Sequence, residues 1–201
     1  MSDLTRFKIL ADTRKTESPQ LWSAGCSITH GVGVDESERF STLLANKLGL
    51  PLSSLTQPGS GITWAADQIL RSDLRKGDTL VWGLTAERRV VKWGDDFIVH
   101  LRHEHIPDNK WMLSNDVLYK NCIAIAQVEN FCRAVGVHLY VICMLDQDAH
   151  YEQVHTMKHF IANPYRKRID LGTDGSHPGP RHHIAVAELI HNAILNSHGV
   201  I

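Results

Sequence analysis

Short apolar runs alternate along this chain with segments of helical period, and that alternation restricts the fold more than any other feature. Leu21-Trp22-Ser23-Ala24-Gly25 is brief, apolar and glycine-ended, as a strand buried on both faces requires. Glu36 to Leu48 then sets Phe40, Leu43, Leu44 and Leu48 at helical spacing, with Gly49 and Pro51 as the stop. The unit repeats. Leu52 to Thr56 reads as a second strand, Pro58 to Gly61 as a tight loop, and Ile62 to Leu74 as a helix with Ile62, Ala65, Ala66, Ile69 and Leu70 inward. Thr79 to Trp82 is a third buried strand. Asn115 to Val135 predicts a long amphipathic helix with Val117, Leu118, Ile125, Val128 and Phe131 toward the core. Val137 to Leu145 is the strongest strand signal, and Pro178 opens a last helix that runs to about Asn196. A further short strand is expected near Phe7 to Ala11.

Strands separated by helices and short loops pack as a parallel sheet covered on both faces. The expected fold class is therefore α/β: a single doubly wound (flavodoxin-like) three-layer domain over residues 1–201, with a mainly parallel sheet of about five strands. A length of 201 residues supports one substantial core, and no break in composition argues for two. Arg88 to Trp111 departs from the rhythm, being rich in charge and aromatics with Gly94, Asp95 and Pro107 as turn formers. It reads as an insertion at 88–111 with a hairpin around Val90 to Leu101. In such a sheet functional groups collect where strands lead into helices, which singles out Cys26 to Gly33, Pro58 to Gly61, Leu84 to Arg89 and Leu171 to Gly179.

A formal net charge of -1 with 43% hydrophobic residues lacks the basic excess that nucleic-acid binding relies on. Nor does any stretch approach the roughly 20 apolar residues that cross a bilayer. Met1 to Lys8 mixes Asp3, Arg6 and Lys8 with apolar residues, unlike a secretory signal, so a cytoplasmic protein is the expectation. Cys26, Cys122, Cys132 and Cys143 lack the close pairing of a zinc or redox site and read as buried free thiols. Among 13 histidines, His103 with His105 and His182 with His183 form small clusters. No spaced carboxylate or thiolate completes a tetrahedral set around them, so they read as surface or helix-face residues and no metal is expected.

Gly25-Cys26-Ser27-Ile28-Thr29-His30-Gly31 puts a serine directly after a buried strand and before a helical turn, the geometry that exposes a hydroxyl among backbone N–H groups. Such a serine is either a nucleophile awaiting a base or an N-cap. Asp174-Gly175-Ser176-His177-Pro178-Gly179 puts a carboxylate three residues before an imidazole. The pair suits a base held through Nδ1 with Nε2 free, and equally suits a turn and cap. His30, three residues past Ser27, competes with His177 as base, and Cys26 offers a thiol beside the serine.

Taken jointly, Gly25-Cys26-Ser27 near the start and Asp174-Gly175-Ser176-His177 near the end resemble the SGNH hydrolases, or GDSL-like esterases and lipases, in residue type, order and separation. The resemblance runs from about Leu21 to the last helix. It implies an ester hydrolase with Ser27 as nucleophile, His177 as base, Asp174 as its partner, and no metal or organic cofactor. It also implies an oxyanion hole of the Ser27 N–H, a glycine N–H in a second loop and commonly an asparagine in a third. Gly59 is where that glycine falls, with Gly61 as alternative. Two positions depart from the pattern: Cys26 replaces the more frequent aspartate, and Trp82-Gly83-Leu84-Thr85 offers Thr85 in place of the asparagine. Thr85 either substitutes for that amide, acts through water or caps a turn. The substrate implied is a small-molecule or carbohydrate ester. Transfer of the acyl group to a sugar hydroxyl, or a binding module with little catalysis, are the alternatives. The insertion is either a substrate wall, through Trp93, Phe97, His103, His105 and Trp111, or a solvated hairpin.

Overall fold

A computed structural model describes residues 18–85, 90–93, 98–101, 115–144, 157–165 and 167–197. The first apolar run forms β1 (Leu21–Gly25), followed by a one-turn helix α1 (Ser27–His30), a 3-10 turn (Glu36–Glu38) and α2 (Phe40–Leu48). Then come β2 (Leu52–Thr56), α3 (Ile62–Arg71), β3 (Thr79–Leu84), and the strands β4 (Val90–Trp93) and β5 (Ile98–Leu101). The chain continues through α4 (Asn115–Val135), β6 (His138–Cys143), β7 (Phe160–Ile161) and α5 (Pro180–Ser197).

Five parallel strands lie in the order β2-β1-β3-β6-β7, so the chain winds one way from β1 and the other way from β3. A reversal of this kind, here between β1 and β3, is where open α/β sheets place their crevice, at the carboxyl ends of the strands. The pleat sorts the core into two layers. Leu80, Trp82 and Leu84 of β3, with Leu139, Val141 and Cys143 of β6, face α3 and α4. Val81, Tyr140 and Ile142 face α2 and α5. At the opposite, amino edge, the fully buried Asp78 accepts from the Gln20 and Arg75 N–H groups at 2.9 Å and from the Trp22 indole at 3.1 Å. This carboxylate ties the start of β1 to the start of β3 and leaves the carboxyl edge to chemistry.

Several boundaries differ from expectation for local reasons. The helix expected from Glu36 breaks at Arg39, which is extended (φ -62°, ψ 137°), because Asp35 and Glu38 close a capping box of their own ahead of it. α3 ends at Arg71, where Ser72 turns extended and its hydroxyl donates to the Ile69 carbonyl. Leu70, expected inward, is exposed. α5 starts at Pro180, since Pro178 pairs with Leu171 across an antiparallel bridge. β7 has two residues, too few to show a period, and was not expected. The hairpin within the insertion forms with Val90 opposite Leu101, while its tip, Phe97, His103, His105 and Trp111 lie outside the described residues, as does the strand expected near Phe7. All four cysteines are free; Cys26, Cys132 and Cys143 are buried and Cys122 is half-buried. His182 and His183 are not surface residues: both are buried, at 3% and 0% exposure, because the first turn of α5 packs inward against α2. Among the described residues no helix is long and apolar enough to cross a membrane.

Candidate active site

Ser27 is the first residue of α1, with Cys26 as the N-cap position, and is 5% exposed. The sharp strand-to-helix turn depends on Gly25. Its φ of 147° lies where a side chain is disfavoured, and a Cβ there would stand 2.5 Å from Thr29 Oγ1 and 2.7 Å from the Gly83 carbonyl oxygen. At the start of a helix the N–H groups have no intrahelical acceptor, and the Ser27 N–H donates to none of the described residues.

The second loop is held against the same turn. The Gly25 carbonyl accepts from the Gln57 N–H and the Ser60 hydroxyl, each at 3.1 Å. Ser60 N–H closes back on the Gln57 carbonyl at 3.1 Å around Pro58 and Gly59, with Gly59 at φ 82°. Proline then glycine at the centre of such a turn is the type II signature. The turn bond uses Ser60, so the Gly59 N–H stays unengaged among the described residues. Thr85 follows β3, whose Gly83 is the register partner of Gly25. Its hydroxyl is buried without a partner among the described residues, and so is that of Thr29. Ser27, Gly59 and Thr85 thus stand just past the carboxyl ends of three neighbouring strands, around the crevice.

Asp174 and His177 make a self-contained dyad. Asp174 Oδ1 accepts the backbone N–H groups of Ser176 and His177, each at 3.0 Å. Oδ2 lies 2.5 Å from His177 Nδ1 and accepts the Ser176 hydroxyl at 2.8 Å. These bonds, the His177 backbone N–H foremost, hold the Asp174 carboxyl well below the usual carboxylate range. An ionised Asp174 fixes the proton on Nδ1 and leaves Nε2 unprotonated when the ring is neutral.

The hairpin that carries the dyad is docked on the loop after α1. The Gly33 carbonyl accepts from the Thr173 N–H at 2.8 Å and the Thr173 hydroxyl at 3.2 Å. Gly33 has φ 88°, and a Cβ on it would meet Asp174 Oδ1 at 2.8 Å. Gly172 N–H closes the hairpin on the His177 carbonyl at 2.8 Å, and Asp170 caps α5 through the Arg181 and His182 N–H groups. The expected triad residues are therefore brought to one end of the sheet, with Asp174 bonded to His177. Ser27 and His177 share no hydrogen bond. His30, the rival base, engages the Thr56 hydroxyl at 3.0 Å and no carboxylate among the described residues. Sequence reasoning missed Gly33, Thr173 and Ser60. The Gly172-Thr173-Asp174-Gly175 run signals a turn, but nothing in it names a partner across the chain.

Comparison with sequence-family profiles and with curated proteins gives no match. Solved structures do match. An acetyl xylan esterase, Est2A, from the rumen bacterium Butyrivibrio proteoclasticus shares a TM-score of 0.61 at 16% identity, over 94% of this chain and 66% of that one. A carbohydrate esterase family 2 enzyme with a carbohydrate binding domain, from Corynascus thermopiles (Myceliophthora fergusii), gives 0.60 at 18% identity, over 93% and 68%. A protein of the G-D-S-L family from Desulfitobacterium hafniense DCB-2 gives 0.59 at 7% identity, over 88% and 99%. The chain spans about two thirds of the two carbohydrate esterases and has the SGNH, or GDSL-type, hydrolase fold.

Proposed function

We propose that this chain, folded as an SGNH hydrolase, is a serine esterase that removes an acyl group, acetyl foremost, from a carbohydrate or other small alcohol. The observation that carries it is the Asp174–His177 dyad, docked through Gly33 onto the loop that follows Ser27. His177 Nε2 takes the proton of Ser27 Oγ as that oxygen bonds to the ester carbonyl carbon. The developing oxyanion is met by the N–H groups of Ser27 and Gly59, with the Thr85 hydroxyl as third donor. Collapse breaks the bond to the alcohol oxygen, which leaves with the proton from His177. Water then attacks the acyl-enzyme, giving its proton to His177, and Ser27 departs with that proton while the acid is released. The acetyl xylan esterase and the carbohydrate esterase family 2 enzyme that share this fold support acetylated sugars as the substrate class.

The test compares wild type with Ser27→Ala on 4-nitrophenyl acetate and a fluorophosphonate probe. Turnover and covalent label are expected only with Ser27 present. Equal behaviour of the two proteins overturns the proposal, and label without hydrolysis that a sugar acceptor relieves assigns transfer instead.

A further inference from the structure

Beside Ser27 stands a second imidazole that the triad does not use. His30 ends α1, and residues three apart on a helix lie on one side of it, so the ring shares its side with Ser27. Nδ1 is 3.0 Å from Thr56 Oγ1, which is 2.8 Å from Ser54 Oγ. Thr56 is the register partner of Gly25 and the last residue of β2, directly ahead of the turn that carries Gly59. Among the described residues Nε2 makes no hydrogen bond, and His30 as a whole is half-buried. Burial, and then the charge of Arg39, hold the pKa of this ring below the ordinary histidine value, so the ring is neutral at neutral pH.

Which side of Ser27 the ring occupies decides what it can touch. Register partners in a parallel sheet face the same way, and Leu21, on the same face of β1 as Gly25, packs with α2 and α5. Thr56, and the ring bonded to it, belong to that face. The Asp174–His177 hairpin leads into α5 and rests on Gly33, so it reaches the crevice from the same layer. In acyl transfer the histidine base hands its proton to the departing alcohol, which therefore lies on the histidine side of the nucleophile.

Building on the esterase reading above, we propose that His30 binds the alcohol half of the ester, its Nε2 sharing a hydrogen bond with a free hydroxyl of a polyol such as a sugar. A hydroxyl both donates and accepts, so either tautomer of the ring is served, and the Thr56–Ser54 hydroxyl pair can reverse its direction to match.

The experiment sets a monoacetylated methyl xyloside, which carries free hydroxyls beside the ester, against 4-nitrophenyl acetate, which carries none. His30→Phe keeps a flat ring and removes the nitrogen. It is expected to raise KM for the sugar ester roughly tenfold, the scale of one hydrogen bond, with kcat unchanged. Turnover of 4-nitrophenyl acetate is expected to stay within about twofold, which shows that the variant is folded. His30→Gln is expected to restore most of the sugar affinity. An equal loss on both esters, or an unchanged KM for the sugar ester, overturns the role of His30 alone. A wild type that cleaves neither ester overturns the esterase reading and this role with it.

Discussion

Asp174 accepts four hydrogen bonds from two residues, Ser176 and His177, which makes it the most constrained side chain of the site. Asp174→Asn keeps the shape but lets the amide present N–H to His177, favouring the wrong tautomer. We expect kcat to fall by about 10² to 10⁴ with KM little changed, as measured on 4-nitrophenyl acetate. The same bonds hold the Asp174 carboxyl below its ordinary range, so it stays ionised as the pH falls. Thr85 presents the opposite case, a buried hydroxyl with no partner among the described residues. Such a group costs stability unless a partner arrives. Thr85→Val removes the hydroxyl at constant shape. A donor reserved for the oxyanion predicts a kcat at least about tenfold lower with thermal stability equal or higher; an unchanged kcat would leave Thr85 a structural residue.

At the scale of elements, the hairpin that carries Asp174 and His177 is only as well placed as its seat on Gly33. Gly33→Ala adds a Cβ at a positive φ and 2.8 Å from Asp174 Oδ1, so it strains the backbone and displaces the dyad together. We expect about 1–2 kcal/mol less stability in urea unfolding and a kcat loss that the stability change alone does not produce. Gly49→Ala is the control, because that glycine also has a positive φ but meets nothing within 4 Å; it should lose stability and keep activity. The contrast marks what was legible beforehand. β1, β2 and α4 were readable to their end residues, since each is a local pattern closed by a local stop. The Asp174–His177 pair was readable because its members lie three residues apart. The Thr173–Gly33 clamp joins residues 140 apart, and the Phe40–His183 bond joins residues 143 apart. No periodicity or turn chemistry announces a contact between two loops so distant in sequence. Leu70 and β7 failed for a related reason: burial at a helix end, and a strand of two residues, are decided by neighbours rather than by local pattern.

For the molecule as a whole, the α2–α5 layer is sealed by a buried imidazole that must remain neutral. His183 Nδ1 accepts the Phe40 N–H at 3.2 Å, which supplies an acceptor at the start of α2. The ring stacks on Phe40, and its Nε2 is buried without a partner among the described residues. Burial first, then the neighbouring His182 and the Arg39 charge, against an opposing pull from Asp170, lower its pKa to about 4 from the ordinary 6.5. The unfolded chain therefore takes up this proton first as the pH falls. The contribution to stability is whole above about pH 6.5 and is lost as the pH drops toward 4, about 3 kcal/mol at the limit. His182 and His30 shift in the same direction and steepen the loss. His183→Gln offers Phe40 an acceptor that does not titrate. Urea unfolding at pH 7.0 and pH 4.5 should show wild type losing on the order of 2 kcal/mol more than the variant between the two conditions. Parallel losses would mean that the proton goes elsewhere. A protein so built would unfold from the α2–α5 side in mild acid. Because α5 also carries the hairpin with His177, esterase activity should then disappear over the same pH range in wild type and persist to lower pH in His183→Gln.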